Sequence, residues 1–134
     1  MSYTHIRTSR DNREVVTTLT NKLGLGAENL ISRIALSYSI SKDLKLDLKD
    51  LKDSQGKEYA RKVLLGNNAD YYEAMVAQHY NIHRSDHDMA KYIKLHVDNG
   101  LELLNEEFQN GSYLDQFDFV LELIEEGFNE IKAS

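Results

Sequence analysis

The sequence predicts a mainly α fold: a short N-terminal strand followed by helices, a ribbon-helix-helix-like start in a helical oligomer. Three observations predict it. Thr4, Ile6 and Thr8 alternate with His5, Arg7 and Ser9, the period of a strand with two different faces. Downstream, apolar residues recur at steps of three and four through successive segments. The chain contains no proline and is rich in Leu, Glu, Lys and Asp, a composition that favours helices.

The elements follow in order. Asp11 and Glu14 form a capping-box pair ahead of Val15, Val16, Leu19 and Leu23, and Gly24 is placed to cap the helix end. A second helix begins after Gly26, with Leu30, Ile31, Ile34, Ala35 and Tyr38 on one side and Arg33 inside the pattern. A lone short strand cannot satisfy its own backbone groups. One solution is the same strand of a second chain, paired antiparallel across a two-fold axis, as in ribbon-helix-helix proteins. Such a ribbon enters a DNA major groove, and the second helix's N-terminus can hold a phosphate. With Ile6 facing the core, His5 and Arg7 would face base edges. The other reading is a strand-helix-helix start to an ordinary enzyme or helical domain.

Residues 42–55 interleave Lys42, Lys45, Lys49 and Lys52 with four aspartates, and Leu44, Leu46 and Leu48 repeat at period two. They read as a solvated crossover, with a lysine tether for phosphates as the functional alternative. Residues 56–66 fit a helix through Tyr59 and Val63 and a strand through Tyr59, Arg61 and Val63, so their type stays open. Asp70 opens a helix with Tyr72, Val76 and Tyr80 on one stripe and Met75 beside them. Residues 81–87 are a polar break, and Ser85 with Asp88 suits the cap of the next helix. Met89, Ile93, Val97, Gly100, Leu101 and Leu104 mark that helix's buried face, and a buried Gly100 asks for another backbone close by. Residues 105–111 read as a linker with Asn-Gly turn chemistry. Leu114, Phe117, Leu121, Ile124, Phe128 and Ile131 then form a heptad-like seam opposite an acidic face. The expected organisation is a helical domain over 1–104 and an acidic helical extension over 105–134, packed on the same domain.

The chain has 134 residues and no Cys, which excludes disulfides, thiol catalysis and cysteine-ligated metal. Its start lacks the apolar core of a signal peptide, and no stretch approaches a membrane span, so a soluble cytoplasmic protein with no membrane partner is expected. The net charge is −6, but residues 1–65 hold 12 Lys/Arg against 8 Asp/Glu and the rest is acidic. Such a division gives one half to an anionic partner and turns the other away. His79, His83 and His87 are spaced by four, with His96 further on, a spacing that stacks metal ligands on a continuous helix. Asn81 and Ser85 interrupt that helix, so scattered loop histidines are expected and no metal. There is no phosphate-binding glycine loop and no nucleophile elbow. Nothing compels an enzyme or a cofactor.

The pattern resembles the DndE family of bacterial DNA phosphorothioation systems. The residues that carry the resemblance are Ile6-Arg7 with Ser9; Leu23-Gly24; Ser32 to Leu36 with Ser39; Gly56 with Glu58 and Leu64-Leu65-Gly66; and His96 with Gly100-Leu101 and Leu104. The resemblance spans about residues 4–104. It implies a non-catalytic component of a system that replaces a DNA backbone oxygen by sulfur, beside a cysteine desulfurase and an ATPase. It also implies a helical homotetramer associated with duplex DNA, nicked duplex in particular. The candidates for DNA contact are Arg7, Arg10, Arg13, Lys22, Arg33, Lys57, Arg61 and Lys62, with His5 and Arg7 as base readers. Arg33 is as well suited to an acidic side chain in a subunit interface. A scaffold that never touches DNA is the competing reading.

Overall fold

The structure, a computed structural model, describes residues 3–110. It consists of β1 (His5–Arg7), α1 (Arg10–Leu23), α2 (Glu28–Ser41), β2 (Glu58–Ala60), α3 (Arg61–Leu65), α4 (Ala69–Tyr80) and α5 (Met89–Asn110), with short 3-10 turns at Leu48–Asp50 and Gly66–Asn68. The mainly helical fold with a short N-terminal strand is as the sequence predicts. The partner of that strand is not. β1 pairs antiparallel with β2 of the same chain, Ile6 opposite Tyr59. The stretch that fits both periods is both: Glu58–Ala60 is strand and Arg61–Leu65 is helix. Tyr59 is thereby buried beside Ile6, and the ladder needs no second chain.

α1 is capped two residues earlier than the sequence suggests. Ser9, not Asp11, is the N-cap, and its hydroxyl accepts from the Asn12 N–H at 3.4 Å. At the other end Gly24 takes the left-handed conformation and its N–H reaches the Asn21 carbonyl, as expected. α2 is the central helix. Ile31, Ala35, Leu36, Tyr38 and Ile40 are buried, and its most extensive contact is with α5. At roughly 1.5–3 kcal/mol for each large apolar side chain removed from water, this pair of helices holds the fold.

α5 buries Met89, Ile93, Val97, Gly100, Leu101 and Leu104, the predicted face. The backbone that approaches Gly100 is that of α2 in the same chain. Both sequence arguments for a partner subunit, the lone strand and the buried glycine, are therefore met within one chain. The helix start is organised by Asp86 and not by Ser85: the Asp86 carboxylate accepts from the Asp88 N–H and its carbonyl from the Met89 N–H, while Ser85 bonds His83. α5 also runs on through Asn110 where a linker was expected from 105. The apolar run Leu101, Leu103 and Leu104 reaches Phe108 and keeps that last stretch against the core. The seam from Leu114 to Ile131, and with it most of the acidic extension, lies outside the described residues. Among the described residues no helix is long and apolar enough to cross a membrane.

Candidate nucleic-acid interface

The basic residues of the first half divide into those committed to neighbours and those left exposed. Arg7 and Glu58 are cross-strand neighbours, and the guanidinium meets Glu58 Oε1 at 2.9 Å through both Nε and Nη2. Lys57 Nζ lies 3.1 Å from Glu28, whose other oxygen accepts from the Thr17 hydroxyl at 2.9 Å. Burial opposes ionisation of Glu28, but the Thr17 hydrogen bond, Lys57 and Arg13 outweigh it and hold the carboxyl below its usual range. This carboxylate occupies the first turn of α2, where a ribbon-helix-helix protein would place a phosphate.

Arg61 makes a two-pronged bond to Glu73, Nε at 2.9 Å and Nη2 at 2.7 Å, and the Tyr3 hydroxyl donates to the same carboxylate at 2.7 Å. Burial works to raise Glu73, yet Arg61 and Tyr3 keep it below the usual range. Among the described residues Arg33 meets no acidic side chain. Its Nε donates to the Leu64 carbonyl at 2.6 Å and its Nη2 to the Val63 carbonyl at 3.0 Å, so it closes the C-terminal end of α3, where a cation suits the helix dipole.

His5, Arg10, Arg13, Lys22 and Lys62 are exposed. Arg10 and Arg13 lie on the first turn of α1 and Lys22 on its last, over the Phe108 ring at 5.9 Å. Lys62 lies in α3. Among the described residues Arg10, Arg13 and Lys62 form no ion pair. The crossover lysines behave as the solvated reading expects: Lys49 meets Asp47, Lys52 meets Glu102, and Lys42 stands over the Tyr38 ring.

The N-terminus of α1 is closed by acids that the sequence reading did not single out. The Ser9 N–H and Asn12 Nδ2 both donate to Asp98 Oδ1, at 2.9 and 2.8 Å, and the Arg10 N–H donates to Asp53 at 2.8 Å. Lys94 Nζ donates to Asp98 Oδ2 at 2.8 Å, and both residues are buried. The signal was present: a Lys and an Asp four apart inside the apolar face set by Ile93 and Val97.

His79, His83 and His87 are not brought together. His79 Nε2 pairs with the Leu44 carbonyl and His83 with Ser85, while His87 stands exposed between Asp86 and Asp88. The fourth histidine, His96, is fully buried. Its Nδ1 is 2.7 Å from the Ser39 hydroxyl and its Nε2 is 2.6 Å from the Tyr80 hydroxyl. Asn99 donates to Ser39 at 2.8 Å, and Tyr80 bonds both the N–H and the carbonyl of Leu46 at 3.1 Å. Tyr80 donates to that carbonyl, so it accepts from His96 Nε2–H, and His96 Nδ1 accepts from Ser39. Burial, with His79 adding to it, pushes His96 down to about 3, so the ring is neutral in this chain of bonds. Burial likewise pushes Tyr80 up to about 12. The chain of bonds pins the crossover to α4 and α5.

Residues 5–112 match the family model described as DndE, DNA sulphur modification protein DndE. Two solved structures share the fold. One is the crystal structure of DndE from Escherichia coli B7A involved in DNA phosphorothioation modification, at 18% identity and a TM-score of 0.63, covering 78% of this chain and 99% of that one. The other is a double glycine-to-lysine mutant of DndE involved in DNA phosphorothioation, at 17% identity and a TM-score of 0.61, covering 77% of this chain and 98% of that one. No curated protein matches the sequence.

Proposed function

The chain belongs to the DndE family of DNA sulphur modification proteins, and from that membership we propose that it is a non-catalytic, DNA-associated component of a bacterial phosphorothioation system. The observation that carries the DNA reading is the exposed pair Arg10 and Arg13 on α1, free of ion pairs among the described residues, with Lys62 and His5 as further exposed contacts. Arg7, Lys57 and Arg61 reach DNA only by sharing their carboxylates, and Arg33 serves the fold. The ligand is duplex DNA, with a nicked duplex as the first probe. Homo-oligomerisation to a tetramer, a cysteine desulfurase and an ATPase as partner proteins, and a cytoplasmic location are parts of the same proposal.

What supports a non-catalytic role is that Ser39 and His96, a hydroxyl beside an imidazole, are both fully buried and closed to substrate. The exposed pair of the same kind, His83 and Ser85, is a contact two residues apart within one loop. What supports the competing scaffold reading is that Glu28, Glu58 and Glu73 already neutralise three of the candidate cations. Titration of nicked and intact duplex across a salt series separates the two. Phosphate contact gives a linear loss of log affinity with log salt. Absence of binding at low salt overturns the DNA reading and leaves the scaffold.

A further inference from the structure

β1 has two edges, and β2 fills one. The Thr8 N–H donates to the Lys57 carbonyl at 2.8 Å and the Arg61 N–H to the Thr4 carbonyl at 2.9 Å. With Ile6 opposite Tyr59, the alternation of an antiparallel ladder turns the backbone groups of Ile6 toward β2 along with these. The N–H and C=O of His5 and Arg7 point the other way, and they meet no partner among the described residues. Along this edge, from Tyr3 to Arg7, runs a groove of about 510 Å³. Its far wall is the start of α5, with Ala90, Lys91 and Lys94.

We propose that this groove docks an extended acidic peptide segment of a partner protein, which adds to β1 as a third strand. The edge offers two donors and two acceptors in alternation, and a peptide backbone matches both. A phosphate strand offers acceptors only, so two of the four positions would face carbonyl oxygens. The walls set the charge. Arg7 and Lys91 stand on opposite sides of the groove with side chains 58% and 60% exposed. Arg7 is paired with Glu58, which also lines the groove, and Lys91 lies 3.5 Å from Asp88, so a ligand carboxylate would share each cation. Glu58 takes Arg7 Nε and Nη2 and leaves Nη1 to a ligand. A second copy's β1 brings Arg7 and Arg10 against these same cations, so charge disfavours it. The short edge and its basic flanks also exclude apolar strands, the usual protection of an open edge.

The proposal shares His5 and Arg7 with the DNA reading but rests on their outward backbone groups, and its test contains no DNA. Its test uses the full chain and a fluorescein-labelled peptide of alternating Glu and Val, read by anisotropy. A Lys/Val peptide and a backbone N-methylated Glu/Val peptide are the controls. Saturable binding of the Glu/Val peptide alone is expected. His5→Pro and Arg7→Pro each remove one outward N–H and leave the ladder to β2 intact, so each should lose the peptide and keep its circular dichroism. Equal binding by the controls overturns the proposal, and so does wild-type affinity in the folded proline variants. Should the prolines fail to fold, Lys91→Glu on the exposed face of α5 decides. It should weaken the peptide by about tenfold, and unchanged affinity overturns the proposal. Loss of self-association in His5→Pro, with no peptide binding to the wild type, gives the edge to a second copy and overturns it too.

Discussion

Gly100 of α5 rests against the Ala35 carbonyl of α2, so closely that a Cβ on Gly100 would stand 1.9 Å from that oxygen. The contact brings the two central helices together backbone to backbone. Gly100→Ala gains about 1 kcal/mol of helix propensity. It also forces α5 away from α2, and overpacking of this kind costs about 1–3 kcal/mol. The colliding atom is backbone and cannot swing aside, so the upper end applies. The expected result is a lower urea midpoint with an unchanged slope. A variant as stable as the wild type would refute the contact.

The same pair explains what could be read in advance. Gly100 at a buried helical position announces a close backbone, and the helically spaced neighbours Ile93, Val97, Leu101 and Leu104 announce the face. Neither says whether the approaching backbone is in the same chain, because spacing records need and not source. β1 has the same history. Its period identified a strand, but the partner Glu58–Ala60 is three residues long and runs directly into α3, too short for a pattern of its own. The candidate interface was legible as a set of cations and not as a surface. Pairing of Arg7 with Glu58, Lys57 with Glu28 and Arg61 with Glu73 spans 12 to 51 positions, beyond any local rule.

Asp98 joins α1 to α5 by accepting from the Ser9 N–H, Asn12 Nδ2 and Lys94 Nζ in a site only 2% exposed. Asp98→Ala leaves the buried Lys94 ammonium without its counter-charge, with the Asp53 carbonyl as its one remaining acceptor among the described residues. It also leaves the Ser9 N–H without its acceptor, for a total loss of about 3 kcal/mol. Asp98→Asn keeps an acceptor and drops the charge, so its loss should be smaller. Chemical denaturation of the two variants checks the order. Equal losses would show that the charge contributes nothing.

His96 makes stability depend on pH. The folded ring takes a proton only near 3, whereas the unfolded chain takes one near 6.5. Between these values the unfolded state binds more protons, so stability is fully present above 6.5 and falls as the solution is acidified. The slope approaches about 1.4 kcal/mol per pH unit. Glu28 and Glu73, both held below the usual carboxylate range, add losses of the same sign only at lower pH. The window from pH 6.5 to 5 therefore reports His96. His96→Gln should be less stable at pH 7 and flat across that window. A variant that keeps the wild-type slope would assign the proton to another group.

The last prediction separates cations that meet DNA from cations that hold the fold. Arg10 and Arg13 are exposed on α1 and form no ion pair among the described residues. Arg61 is bound through two nitrogens to Glu73, which is only 7% exposed. Each lost phosphate contact lowers the slope of log affinity against log salt by ~0.9. The double variant Arg10→Ala, Arg13→Ala should therefore lose nearly two units of slope and bind nicked duplex more weakly, at unchanged urea midpoint. Arg61→Ala should behave in the opposite way. It leaves Glu73 buried with the Tyr3 hydroxyl alone, a loss of about 3 kcal/mol of stability. Its salt slope should match the wild type at temperatures where it stays folded. Measuring both quantities on both variants distinguishes the cases. A full wild-type slope in the double variant would remove α1 from the interface. A reduced slope in folded Arg61→Ala would place Arg61 on the DNA despite its partner.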